Sequence, residues 1–125
     1  RLNPDKPAKQ CYIESQLGNS KTPIIAVSDN MAAVPDMVRK WMPENYEVLG
    51  TDGFGRSDTR EALRRFFEID GVAVTLAALS QLVRKGDIDA KVYQKAVKKF
   101  GVSNERIDIT ELWFSDALKK QNPQR

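Results

Sequence analysis

The chain has 125 residues, 41% hydrophobic and 30% charged, with twenty basic and seventeen acidic side chains and a net charge of +3. That balance suits one globular domain, and the positive excess is too small to mark a nucleic-acid binder. There is no histidine and a single cysteine, Cys11, which excludes Ser-His-Asp and Cys-His nucleophiles, nearly all catalytic zinc sites and any internal disulfide.

Residues 1–9 are polar, carry Pro4 and Pro7, and read as a linker. Arg1 in place of an initiator Met reads as a chain with something removed or as a piece of a longer one. From Gln10 to Leu17 the spacing of Tyr12, Ile13 and Leu17 predicts one or two helical turns. Pro23-Ile24-Ile25-Ala26-Val27 is a continuous branched apolar run, the pattern of a strand covered on both faces as in a parallel sheet. Ser28, Asp29 and Asn30 offer caps for a following helix, on which Val34, Met37, Val38, Trp41 and Met42 recur at i, i+3, i+4, i+7 and i+8. Trp41 fits that stripe and is expected in the core. Pro35 is tolerable only in the first turn, and Pro43 marks the end.

Tyr46 to Leu49 predicts a second strand, followed by a glycine-rich loop from Gly50 to Ser57. Asp58 and Glu61 stand at capping-box spacing and open a helix with Leu63, Phe66 and Phe67 on one side. After a turn at Asp70-Gly71, the positions Val72, Leu76, Leu79, Leu82 and Val83 predict another helix, stopped by Gly86. Asp87 or Asp89 caps the next, whose apolar side is Val92, Tyr93, Ala96, Val97 and Phe100 and whose end is Gly101. The expected fold is α/β, a mostly parallel sheet with flanking helices. Two buried-type strands would leave two exposed edges, so residues 10–102 read as the second half of a domain, with 103–125 a tail of unknown role. No apolar run approaches the ~20 residues of a membrane span, no signal-like stretch opens the chain, and the lone cysteine suits a reducing, cytoplasmic setting.

The densest cluster of special residues is Thr51-Asp52-Gly53-Phe54-Gly55-Arg56-Ser57-Asp58. It joins a strand to a helix N-terminus, a position that can hold an anion, with Arg56 available to a phosphate or carboxylate. Equally, it can be a tight turn whose Asp52, Arg56 and Asp58 satisfy one another or a neighbouring chain. The loop is neither a kinase magnesium motif nor a P-loop. Lys91, Lys95, Lys98 and Lys99 form a basic side without interleaved aromatics, which reads as a solvated face. Trp113 and Phe114, adjacent in the tail, are candidate partner anchors.

The stretch Tyr46 to Arg65, with Pro23-Ile24-Ile25-Ala26-Val27-Ser28-Asp29, Met31, Phe66-Phe67-Glu68-Ile69-Asp70 and Ala77-Ala78-Leu79, resembles the C-terminal region of the homodimeric decarboxylating component of bacterial pyruvate dehydrogenases, in the transketolase superfamily. The likeness runs from about Arg1 to Val102; the segment from Ile109 to Arg125 departs from it. The resemblance implies the second half of a transketolase C-terminal-like domain, joined to the remainder of a parent polypeptide. It implies a homodimer bound to a lipoyl acyltransferase core, in an enzyme that decarboxylates pyruvate on thiamine diphosphate and magnesium and reductively acetylates lipoyl groups. Cofactor and catalytic residues in that family lie upstream, so none carries over to this chain, and no activity is expected from it alone. The alternative is a free-standing interaction module whose glycine loop, Arg56 and the helix beginning near Asp58 bind an anion.

Overall fold

The computed structural model describes residues 3–102. Its elements run α1 (Tyr12–Leu17), β1 (Ile24–Val27), α2 (Ala33–Asp36), a 3-10 turn (Arg39–Trp41), β2 (Tyr46–Leu49), α3 (Arg60–Phe66), α4 (Gly71–Lys85) and α5 (Ala90–Phe100). The two strands pair in parallel, Ile24 beside Tyr46 through Val27 beside Leu49. A parallel pair needs a crossover connection, and α2 with its 3-10 turn provides it.

Alternation along the strands sends Tyr46 to one face and Glu47 to the other. On the first face the Tyr46 hydroxyl donates to Pro35 O at 2.6 Å, drawing α2 onto the sheet. On the second, Gln81 Nε2 of α4 donates to Glu47 Oε2 at 2.7 Å. Helical layers thus lie on both faces, with α4 packed on β1 and α5 packed on α4. The α/β class and parallel sheet expected from the sequence are both present.

The crossover is not one amphipathic helix. Met37 and Val38 keep helical angles, but the chain then tightens into the 3-10 turn and leaves it at Met42, φ −98 and ψ 155. Pro43 disfavours the helical region for Met42. Arg39 reinforces the tightening, since its guanidinium meets Asp36 Oδ1 at 2.6 Å and Tyr46 O at 3.1 Å. The predicted stripe is therefore dispersed: Val34, Met37 and Trp41 are exposed, Met37 by 77%. Trp41 is not a core residue.

The remaining helices follow their signals closely. Asp70 Oδ1 accepts from Ala73 N at 2.9 Å to start α4, and Asp89, not Asp87, starts α5 by accepting from Lys91 N. Gly86 and Gly101 end them in the left-handed conformation. The stretch Arg60–Lys85 is apolar enough over an 18-residue window to resemble a membrane span. It is, however, two helices: the backbone leaves α3 at Phe67, takes φ 54 at Glu68 and restarts at Gly71. At 15 residues, α4 is about 22 Å long, short of a hydrocarbon core of ~30 Å.

Burial is thin for so apolar a set of elements. Among the described residues only Tyr46 and Ala77 are buried, and Val27 at the end of β1 is 44% exposed. The two-stranded sheet sits between helices that cover it only partly.

Candidate functional site

In open α/β sheets the loops beyond the carboxyl ends of the strands are where sites are built. Here those loops are residues 28–32 after β1 and 50–58 after β2, and they are laced together. Thr51 N donates to Asn30 O at 2.9 Å, Thr51 Oγ1 donates to Asp29 O at 3.1 Å, and Ala32 N donates to Asp52 Oδ1 at 3.0 Å. Ser28 N, donating to Leu49 O at 3.0 Å, continues the ladder into the junction.

Gly50 is the pivot. A Cβ there would lie 2.6 Å from Ala32 Cα and 2.8 Å from Asn30 O, and closer still to Ala32 N. Every one of those atoms is backbone, so the loops can approach this closely only over a glycine. The expected capping of α2 by Ser28, Asp29 or Asn30 is corrected by this junction. Ser28 Oγ and Asn30 Oδ1 accept from Asn30 N and Met31 N, turning the loop, while the backbone at the helix start turns to Asp52 of the other loop.

The second half of the glycine loop is different in kind. Gly53 has φ 99, whereas Gly55 has an ordinary φ and open space around its Cα. Phe54 is 63% exposed and Ser57 is exposed. The loop then folds back on α3, with the Arg56 guanidinium carbon 4.2 Å from the centroid of the Phe66 ring. Phe66 in turn meets Phe67 edge to face at 5.0 Å. Asp58 Oδ1 accepts from Thr59 N at 2.7 Å, and Thr59 Oγ1 accepts from Ala62 N at 3.2 Å. The cap of α3 is thus Thr59, one residue beyond the Asp58 expected from spacing, because the Thr hydroxyl stands at the right distance from the third helical N–H.

Within the signature, then, Asp52, Arg56 and Asp58 do not satisfy one another; each has its own partner elsewhere in the chain. The groove between the loop and α3 collects Arg56, Arg64 and Arg65, but also Asp58, Glu61 and Asp70. Its charges balance, and the helix start is occupied by its own Asp58 and Thr59. An anion gains little there.

Among the described residues, no group of three or more His, Cys, Asp or Glu is placed to hold a metal ion. The two acids of the signature are committed to backbone N–H groups. Trp113 and Phe114 lie outside the described residues.

Two features escaped sequence reasoning. Arg39 lies against the Tyr46 ring, 5.3 Å from its centroid, and bonds the Tyr46 carbonyl. Burial pushes the Tyr46 hydroxyl pKa upward, the negative charge of Asp36 adds to the rise, and Arg39 opposes it. Asn45 also ties β2 to the segment before β1, its Nδ2 donating to Thr22 O and to Ser20 O. An Asn just ahead of a strand was the only local signal for that clasp.

Comparison with known proteins agrees with this architecture. The profile of the transketolase-like TK C-terminal domain family matches residues 6–70. A pyruvate dehydrogenase E1 component of Pseudomonas aeruginosa is 48% identical over 107 residues, covering 85% of this chain and 12% of that protein. The corresponding protein of Mycolicibacterium smegmatis is 46% identical over 102 residues, 82% of this chain and 11% of its own length. That of Escherichia coli K12 is 40% identical over 108 residues, 86% of this chain and 12% of its own length. The chain spans about an eighth of the length of the curated relatives it matches. With the parallel pair, the helices on both faces and the profile match over more than half its length, the chain belongs to the transketolase-like TK C-terminal domain family.

Proposed function

We propose that this chain is the C-terminal structural and dimer-forming part of a pyruvate dehydrogenase E1 component. The parent enzyme, in this reading, decarboxylates pyruvate on thiamine diphosphate with magnesium and reductively acetylates lipoyl groups of an acyltransferase core, in the cytoplasm. The relatives' name supports the reaction, and the similarity over 85% of the chain to proteins about seven times longer supports the place within a larger polypeptide. The observation that carries the structural role is the incompleteness of the fold. A two-strand parallel sheet with only Tyr46 and Ala77 buried among the described residues has the layers of a doubly wound domain without its core.

On this reading the chain performs no chemical step. It has no histidine, its signature acids hold backbone, and its glycine loop fixes the geometry of the strand ends. The cofactor and the reacting atoms belong to the upstream polypeptide, and residues 3–102 supply a scaffold against which that part folds and pairs. The balanced charge of the groove beside Arg56 disfavours the alternative of an anion-binding module.

The test compares the full polypeptide that contains this sequence with the isolated 125-residue chain. The full polypeptide should bind thiamine diphosphate and magnesium by calorimetry and turn over pyruvate with a lipoyl acceptor; the isolated chain should do neither. Cofactor binding at micromolar affinity by the isolated chain, or a native gene product no longer than this chain, would sink the proposal.

A further inference from the structure

Along α5, Val92, Ala96 and Phe100 recur at i, i+4 and i+8, and Lys91, Lys95 and Lys99 recur one position earlier. An apolar row and a basic row therefore lie on adjoining sides of the helix. Packing on α4 half-buries Tyr93, Ala96 and Val97, but Val92 remains 45% exposed and Phe100 40%. The lysines of the helix are exposed, and among the described residues none of their side chains makes an ion pair. A solvated helical face is ordinarily steadied by acid and base four residues apart. Here the helix contains no acid, and the lysines of the basic row repel one another along it. Lys91 also stands in the first turn, where the macrodipole disfavours a cation.

The complementary pattern follows directly in the sequence. Residues 103–118 carry Glu105, Asp108, Glu111 and Asp116 against Arg106, four acids to one base and a net −3. Among them stand Ile107, Ile109, Leu112, Trp113 and Phe114. These residues lie outside the described ones, but the point from which they depart is fixed. Gly101 takes the left-handed conformation with its N–H bonded to Lys98 O at 3.2 Å, and Val102 N reaches back to Val97 O, also at 3.2 Å. That closure turns the chain off the helix axis beside Phe100 instead of prolonging α5. The helix has 11 residues and is about 16 Å long, so residues 103–118 reach its far end even at ~1.5 Å per residue.

We infer that residues 103–118 fold back on α5, with Trp113 and its apolar neighbours on the row of Val92, Ala96 and Phe100 and their carboxylates beside Lys91, Lys95 and Lys99. Exposed ion pairs are individually weak, so apolar burial supplies the affinity and the charges select the orientation. The covalent link favours this occupant over a separate partner, because a segment tethered at Gly101 meets α5 as an intramolecular event. Residues 109–125 depart from the family resemblance, so the contact is a feature of this chain and not of the shared domain. It stands independently of the parent reaction.

Carbodiimide cross-linking of the full polypeptide that contains this sequence tests the contact, since this reagent joins a lysine directly to a carboxylate only when the two lie within ion-pair range. Cross-links from Lys91, Lys95 or Lys99 to Glu105, Asp108, Glu111 or Asp116 are expected. In a subunit-exchanged mixture of isotope-labelled and unlabelled copies, they should arise within one polypeptide. Amide hydrogen exchange gives an independent readout. Ending the chain after residue 108, or the milder Trp113→Ala, should raise the exchange rates of the Ala96, Val97 and Phe100 amides roughly 10-fold, while that of Val48 in β2 stays unchanged. Absence of cross-links between α5 and residues 103–118, or exchange unaltered in both variants, overturns the inference. Cross-links between labelled and unlabelled copies assign the face to a second copy, cross-links to any other part of the polypeptide assign it there, and either result also overturns it. Activity is not the readout, so none of these outcomes bears on the parent-enzyme reading.

Discussion

Replacing Gly50 by alanine probes the loop junction at its tightest point. The added methyl would sit 2.6 Å from Ala32 Cα and 2.8 Å from Asn30 O, well inside van der Waals contact. No flexible side chain can yield, so residues 28–32 and 50–52 must separate by something like an ångström. Three inter-loop hydrogen bonds span that gap: Thr51 N to Asn30 O, Thr51 Oγ1 to Asp29 O, and Ala32 N to Asp52 Oδ1. At a net 0.5–1.5 kcal/mol each, losing two or three of them costs roughly 2–4 kcal/mol, against a loss of well under 1 kcal/mol for an unstrained surface substitution. Urea unfolding of the full polypeptide that contains this sequence, followed by far-UV circular dichroism, reads the difference as a shift in midpoint at constant slope. Gly55→Ala is the control, because nothing lies within 4 Å of its new Cβ and its φ is ordinary. A Gly50→Ala variant within 0.5 kcal/mol of the parent, or a Gly55→Ala variant that costs as much, would refute the reasoning.

Four further outcomes are expected. Gly53→Ala, at φ 99, should cost about 1 kcal/mol or more in the same assay. Tyr46→Phe should lose about 1 kcal/mol near neutral pH with the bond to Pro35 O. It should also flatten the alkaline limb: the folded pKa of Tyr46 lies above the ordinary tyrosine value of 10.0, so the stabilisation is complete below pH 10 and is lost as pH rises through the folded value. Asp70→Ala removes the cap on Ala73 N and should cost about 1 kcal/mol, visible as a lower thermal midpoint. Arg56→Ala should cost ~0.5–1 kcal/mol through its contact with Phe66. Arg56→Lys should recover only part of that, and phosphate added at millimolar concentration should not shift the midpoint of the parent chain.

Much of the fold was legible because its signals are local. The branched run at Ile24–Val27 announces a strand of a parallel sheet and Tyr46–Leu49 a second strand, and Asp70, Gly86, Asp89 and Gly101 bracket α4 and α5 within a residue. What sequence reading missed depends on contacts across the chain. The helix expected to carry Trp41 breaks because Arg39 reaches to a strand seven residues on and Pro43 constrains Met42. Asp52 acts at Ala32, twenty residues away, where no spacing rule could place it. The shift of the α3 cap from Asp58 to Thr59 is a contest between adjacent residues that share the same chemistry. The signature loop was recognisable as a cluster, but its division into a structural half at Thr51-Asp52 and an exposed half from Gly53 to Ser57 appears only in three dimensions.

The central claim is that residues 3–102 are part of a domain completed by the upstream polypeptide. Fragment complementation tests it most directly. The parent polypeptide, ended just before residue 1, is expressed alone and together with the 125-residue chain in trans, and pyruvate-dependent acetylation of a lipoyl acceptor is measured after co-purification. The account predicts that the upstream piece alone is inactive, that the two pieces co-purify, and that activity returns with the complex. Full activity of the upstream piece by itself, or failure of the two well-expressed pieces to associate, would contradict it.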